Sequence, residues 1–140
     1  MSATGLDVFD KTLQTTNLWL DEIMAEHGPD RQTAWHILGA VLHAVRDRLP
    51  AELAVHLGAQ LPLLVRGLYY DQWHFSREAG QERSLEHFLD HIDQGLKNIR
   101  PINRLEAART VFGVLNRHLT GGQVEKVRNT LSHEVRALWP

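Results

Sequence analysis

Two histidines in the chain have a spacing that is found in metal sites. His87 and His91 are four residues apart, which places both imidazoles on one face of a helix. A zinc ion needs three or four protein ligands, and the sequence places no third ligand beside this pair. The pair also falls opposite the apolar stripe of its helix, where we expect solvent. We therefore predict an exposed polar face here and no metal site.

His36 and His43 form a second histidine pair, two helical turns apart, with the small residues Gly39 and Ala40 between them. Small residues allow a second helix to approach closely, so this helix is either buried from two directions or faces a partner chain. Histidine changes its charge near neutral pH. The pair therefore belongs either to a packed or solvated surface or to a pH-sensitive interface.

Charged side chains at the end of the same helix could bind an anion. The tripeptide Arg46-Asp47-Arg48 falls where arginines stabilise the helix dipole and bond the last carbonyl groups. Asp47 can hold one of these arginines in a bidentate pair. The alternative is that Arg46, Arg48 and Arg66 bind phosphate or another anion. A counterpart of Arg66 seventy residues later, Arg136, favours the structural interpretation.

Aromatic side chains are concentrated in one short segment, residues 69–75, which contains Tyr69, Tyr70, Trp73 and Phe75. Aromatic residues that also carry a polar group are enriched at interfaces and in ligand pockets. We expect this segment either to fill the junction between two halves of the chain or to form a binding surface.

The sequence lacks the patterns that catalysis requires. It has no cysteine, and none of the serines at positions 2, 76, 84 and 132 lies in a nucleophile elbow. Gly121-Gly122 stands alone at a helix start and does not form a phosphate-binding loop. We therefore predict a protein that is not an enzyme and that carries no cofactor.

The composition is that of an ordinary globular protein, with 43% apolar and 23% charged residues among 140. A formal net charge of −2 gives no general attraction to nucleic acid or to an anionic membrane. The first six residues do not resemble a signal peptide, and no apolar run approaches the roughly 20 residues that cross a bilayer. We expect a cytoplasmic, soluble, single domain over residues 1–140.

Apolar residues recur at helical spacing almost throughout, and no segment alternates as a strand does. The first helix has its stripe at Phe9, Leu13, Leu20, Ile23 and Met24. Later helices begin at capping residues or prolines. These are Asp30, Pro50, Pro62, Ser84, Asn103, Thr120 and Ser132. The fold predicted is all-α, a compact bundle of about eight helices.

The chain also resembles itself when it is shifted by seventy residues. Residues 41–69 then fall on residues 111–139 without a gap and with six identities, where chance gives about two. This pattern predicts two tandem four-helix repeats, at 6–70 and 84–139, joined by a linker at 71–83. Each repeat is expected to cover the apolar face of the other.

Several motifs together resemble the bacterial domain-of-unknown-function family 2267. The segments that carry the resemblance are Arg46–Pro50, Ala59–Pro62, Arg66–Tyr70 and Trp73. The similarity extends from Phe9 to Trp139, and the chain has Leu131-Ser132 where the family usually has Leu-Pro. The resemblance implies a compact, stand-alone, all-helical bacterial protein. It implies no established catalytic residue, cofactor or substrate.

Two functions from different classes are compatible with these features. The first is a protein-binding or self-assembly module, such as a homodimer, that uses the side of the helix bearing His36 and His43 together with residues 69–75. The second is a small-ligand or anion-binding protein, conceivably an enzyme, with a pocket between the repeats. Its lining would be Arg46, Asp47, Arg66 and Tyr70. We predict the first function, with either another protein or a second copy of the chain as the partner.

Overall fold

The computed structural model describes residues 2–74 and 84–140, and in these residues it contains eight α-helices and no β-strand. The helices are α1 (Asp7–His27), α2 (Arg31–Arg46), α3 (Ala51–Ala59), α4 (Leu63–Tyr70), α5 (Leu85–Gly95), α6 (Arg104–His118), α7 (Gly121–Thr130) and α8 (His133–Arg136). The prediction of an all-helical fold is thus confirmed for the described residues. Of the predicted linker, residues 71–74 follow α4 outside any helix, and residues 75–83, with Phe75, lie outside the described residues.

Side-chain caps fix four of the eight helix starts at the residues that the sequence indicates. The Asp30 carboxylate accepts a hydrogen bond from the Gln32 amide at 3.0 Å, which satisfies one of the free N–H groups of the first turn of α2. Equivalent bonds at 3.1–3.4 Å are accepted by Ser84, Asn103 and Ser132 at the starts of α5, α6 and α8. Helices α3 and α4 begin directly after Pro50 and Pro62.

Helix α2 lies at the centre of the bundle and contacts α1, α4, α5 and α6. Its small residues allow two of these contacts. A β-carbon on Gly39 would lie 3.0 Å from Leu68 of α4, and a β-carbon on Gly95 of α5 would lie 2.7 Å from the Ala40 β-carbon. Helices of the same chain therefore cover α2 from two directions at the positions where a partner chain was the alternative.

The buried apolar residues that the structure describes form one cluster, to which all eight helices or their ends contribute. Phe112 of α6 stacks on Trp139 with 4.1 Å between ring centroids and lies 6.1 Å from Phe88 of α5. Tyr69 of α4 is fully buried in the same cluster. The two halves of the chain therefore share a core.

Helix α1 is fixed to α6 along its C-terminal half. Trp19 stacks on His118, with 5.3 Å between the rings, and Glu22 pairs with the same imidazole. One turn further on, His27 Nε2 lies 3.0 Å from Thr110 Oγ1 of α6. Within the described residues, no helix is both long enough and apolar enough to span a membrane.

Candidate functional site

Arg46 joins the end of α2 to the end of α4. Its guanidinium is only 4% exposed and donates hydrogen bonds to the carbonyl oxygens of Tyr69 at 2.7 Å and Asp71 at 3.0 Å. Two further bonds, at 2.8 and 3.3 Å, reach the two carboxylate oxygens of Asp47, which is the bidentate geometry that the sequence suggested. This arginine therefore satisfies carbonyl groups that the C-terminal turn of α4 leaves free.

Arg66 and Tyr70 attach the other side of α4 to α3. Arg66 donates to the carbonyl oxygens of Gly58 and Leu61, each at 3.0 Å. The Tyr70 hydroxyl donates to the Val55 carbonyl oxygen at 3.2 Å, and its ring occupies the space where a β-carbon on Gly58 would lie. Arg66 and Tyr70 thus contact α3, whereas Arg46, paired with Asp47, contacts the end of α4, and these bonds do not converge on one cleft.

The other aromatic residues of this segment pack around the same helix. The Tyr69 hydroxyl donates to the Ala54 carbonyl oxygen at 2.7 Å, and burial raises the pKa of this phenol well above its usual range. The ring of Tyr70 lies 5.0 Å from that of Tyr69 and 5.6 Å from that of Trp73. These residues pack mainly on helices of the first half of the chain.

The two histidines of α2 have different environments. His43 Nε2 donates to the Leu68 carbonyl oxygen of α4 at 2.7 Å, and burial lowers the pKa of this imidazole. His36 is exposed, and its Nδ1 donates to the Gln32 carbonyl oxygen of its own helix at 2.8 Å. The structure therefore groups His43 with the residues that hold α4, and it leaves His36 apart from them.

Helix α4, once held in this way, presents apolar side chains to solvent beside α1. Phe9 and Leu13 of α1 and Leu63 and Leu64 of α4 are 39–51% exposed. The Leu64 amide donates to Thr12 Oγ1 of α1 at 3.2 Å, so the two helices meet at this point. We call Phe9, Leu13, Leu63 and Leu64 the α1–α4 apolar surface.

The exposure of Phe9 arises from the position of α1 in the bundle. At helical spacing, Phe9 lies on the same side of α1 as Thr16, Leu20 and Ile23. Those three residues are buried, whereas Phe9 is half exposed. The inward face of α1 thus continues past the part of the bundle that covers it. The sequence pattern placed Phe9 and Leu13 in the apolar stripe of the first helix. It carried no information on where along α1 the other helices stop covering that stripe.

The positions seventy residues further along are exposed as well, and they are polar. Helix α8 has His133 and Glu134 at the positions that correspond to Leu63 and Leu64. Helix α7 has the exposed Glu125 where α3 has the half-exposed Val55. At these equivalent positions, therefore, exposed apolar residues occur in the first half of the chain and not in the second.

His87 and His91 contact the end of α2, which the sequence did not predict. Arg48 donates to Nδ1 of His87 at 2.7 Å and to Nδ1 of His91 at 3.3 Å. His91 Nε2 lies 3.4 Å from an Asp47 carboxylate oxygen, and the His91 side chain is 28% exposed. The expectation of a purely solvent-facing pair is therefore wrong for His91, because the crossing of α2 and α5 brings together residues that are 43 positions apart.

The same region has a surface depression of about 380 Å³, lined by His87, Asp90, His91 and Gln94 of α5. No group of three or more histidine or acidic side chains among the described residues has the geometry to hold a metal ion. The two imidazoles instead serve as hydrogen-bond acceptors for a buried arginine.

These features define a compact all-helical protein whose interior arginines bond helix ends and whose first half exposes an apolar surface. A family described as "Uncharacterized conserved protein (DUF2267)" matches residues 16–138, nearly the whole chain. The chain belongs to this family, as its motifs indicated. A comparison with curated proteins finds no match.

Proposed function

We propose that this protein is a non-enzymatic binding module that associates with a second copy of itself through the α1–α4 apolar surface. The observation that carries the proposal is the grouping of four large, half-exposed apolar side chains at the junction of two helices. A monomer gains nothing by exposing such residues together, whereas covering them with a partner removes apolar area from water.

The size of this surface fits a weak, concentration-dependent association. Burying the exposed half of one leucine or phenylalanine side chain yields about 1 kcal/mol, and a two-fold dimer covers the surface on both copies, so eight such residues yield about 8 kcal/mol. Association costs at least about 4 kcal/mol of translational and rotational freedom. We therefore expect dimers to form near millimolar rather than nanomolar concentrations.

The polar and aromatic residues around α4 support this function because they hold the helix in position. Arg46, Asp47, His43 and Tyr69 fix the inner and C-terminal parts of α4, and Arg66 and Tyr70, with Trp73 packed on it, fix α4 to α3. In this proposal they hold Leu63 and Leu64 in place and do not themselves touch the partner. His36, which is exposed on α2, has no part in it.

We also propose that the single domain consists of two tandem four-helix repeats, at 6–70 and 84–139, of which the first carries the binding surface. Helices α3 and α7 begin seventy residues apart, as do α4 and α8. Tyr69 and Trp139, at equivalent positions, are both buried. Each also donates a hydrogen bond to an earlier helix of its own half, Tyr69 to Ala54 of α3 and Trp139 to Asn116 of α6, although these two acceptors are not at equivalent positions.

The alternative function, an anion site between the repeats, has less support. The Arg46 guanidinium would have to give up two carbonyl oxygens and a bidentate carboxylate in order to bind an anion. Arg66 likewise bonds the carbonyl groups at the end of α3. Each exchange would leave buried acceptors without a donor, which costs about 1–3 kcal/mol for each group.

The proposal is tested by sedimentation velocity of the full chain from about 10 µM to about 1 mM, the range of weak association. The test variant combines Leu63→His and Leu64→Glu, which are the residues found seventy positions later. The matched control is Leu18→Glu, because Leu18 is 57% exposed on the opposite side of α1.

We expect dimer formation in the wild type and in Leu18→Glu, and a monomer in the double variant. A wild type that stays monomeric at the highest concentration would refute self-association. A dimer that survives the double substitution would refute the α1–α4 apolar surface as its interface.

A further inference from the structure

The contact between Arg48 and the two histidines of α5 depends on the charge of the imidazoles. A guanidinium has only hydrogen-bond donors, so each imidazole nitrogen that faces it must offer a lone pair. Arg48 faces Nδ1 of both His87 and His91. Each histidine is therefore neutral, with its proton on Nε2. For His91, that Nε2–H points towards the Asp47 carboxylate at 3.4 Å.

Arg48 itself is fixed independently of the histidines. It is buried, donates to the Ala44 carbonyl oxygen of α2 at 2.7 Å, and lies over the Phe88 ring at 5.1 Å from the centroid. An arginine stays charged at every physiological pH. The guanidinium therefore cannot adapt when the histidines change their protonation state.

The charged groups around His91 come from several elements and act in opposite directions. The Asp47 carboxylate favours the protonated imidazole, whereas burial and the nearby cationic groups disfavour it. Those groups are Arg48, which follows α2, and Arg46 and His43 of α2. Asp90 of α5 borders the same depression, but it is bonded to Arg104 of α6 at 2.9 Å. From the α7–α8 side, the residues next to Arg48 are uncharged: Thr130, Leu131 and Ser132.

We propose that Arg48, His87 and His91 form an acid-sensitive latch between α2 and α5. The latch is closed while both imidazoles are neutral. Protonation at Nδ1 removes the acceptor that Arg48 requires and places a second positive charge against its guanidinium. Helix α5 then loses its bonds to Arg48 and opens more often, although its apolar face still packs in the core and His91 still faces Asp47.

The direction of the pH effect follows from the balance of these groups. Burial, ahead of the opposing Asp47 charge, lowers the pKa of His91 below its ordinary value of 6.5. The folded chain therefore binds this proton less readily than the unfolded chain. The latch contributes its full stabilisation above pH 6.5 and loses it as the pH falls below that value.

The experiment measures amide hydrogen exchange of α5 relative to α6, from about pH 7.5 to about pH 5, after correction for intrinsic rates. The test variant is His87→Gln/His91→Gln, because a glutamine oxygen still accepts from Arg48 and does not titrate. The matched control is His36→Gln, which removes an exposed histidine from α2.

We expect acid to reduce the protection of α5 in the wild type and in His36→Gln, about tenfold for each unit by which folding lowers the pKa of His91. The double variant should keep its protection. Protection of wild-type α5 that does not change with pH would overturn the proposal, and so would an equal loss in the double variant.

Imidazole nitrogen chemical shifts of the wild type provide a second test that needs no variant. We expect His87 and His91 to carry their proton on Nε2 at neutral pH. A proton on Nδ1 of both histidines, or titration of His91 above pH 6.5, would overturn the latch.

Discussion

Helices α4 and α8 begin seventy residues apart and differ mainly in what they present to solvent. On the inner side both bury a valine and are followed or ended by a buried aromatic residue, Tyr69 or Trp139. On the outer side the pairs are Leu63-Leu64 on α4 and His133-Glu134 on α8. The inner positions are constrained by the shared core. The outer positions are free of that constraint, so they are where the two halves can differ in function.

The largest loss of stability is expected when the buried aromatic side chain is removed at either of the two equivalent positions. Tyr69→Ala and Trp139→Ala should each lower the free energy of unfolding by about 3–5 kcal/mol, because each leaves a cavity in the same core. Urea denaturation measures both losses. A loss below about 1 kcal/mol for one of them would mean that the two positions are not equivalent in the core.

A smaller difference in stability is expected between alanine substitutions at a glycine in a helix crossing and at a glycine on an open helix face. Gly95→Ala would place a β-carbon 2.7 Å from that of Ala40, and such overpacking should cost about 1–3 kcal/mol. Gly67→Ala on the open face of α4 meets no atom within 4 Å and should stabilise the helix by about 0.5–1 kcal/mol. Thermal unfolding distinguishes the two. A gain from Gly95→Ala would contradict the close crossing of α2 and α5.

The hydrogen bonds of the two equivalent aromatic residues should differ in strength. Tyr69→Phe leaves the buried Ala54 carbonyl oxygen without its 2.7 Å donor and should cost about 1–2 kcal/mol. Asn116→Ala removes the acceptor of the Trp139 N–H, but Asn116 is exposed, so water can take its place and the loss should be less than about 1 kcal/mol. Equal losses in urea denaturation would contradict this difference in burial.

The smallest effect on stability is expected from exchanging the outer pairs. His133→Leu/Glu134→Leu gives α8 the side chains of α4 and should change the free energy of unfolding by less than about 0.5 kcal/mol. It should nevertheless increase self-association in sedimentation experiments, because it adds a second apolar surface. A large loss of stability would show that the exposed bond from Arg136 to His133 Nδ1, at 3.3 Å, contributes more than a surface contact should.

The helix boundaries could be predicted from the sequence because their causes are local. Asp30 and Ser132 cap helices within three residues of themselves. Pro62 separates two helices whatever the tertiary structure around it. The bidentate pair of Arg46 and Asp47 was predictable for the same reason, since the two residues are adjacent.

The sites at helix crossings could not be predicted, because periodicity defines the face of a helix but not the element that covers it. Phe9 and Ile23 share the apolar stripe of α1, yet only Ile23 is covered. His87 and His91 were expected in solvent because they lie opposite the apolar stripe of α5. Their contact with Arg48 depends on how closely Gly95 lets α5 approach α2.

The attachment of α1 to two different helices has a mechanical consequence. Thr12 is bonded to Leu64 of α4, and Glu22 pairs with His118 of α6. Ten residues of helix separate these two attachments, so α1 acts as a lever of about 15 Å between α4 and α6. A load applied at Phe9, close to the Thr12 attachment, is thereby transmitted to the Glu22–His118 pair.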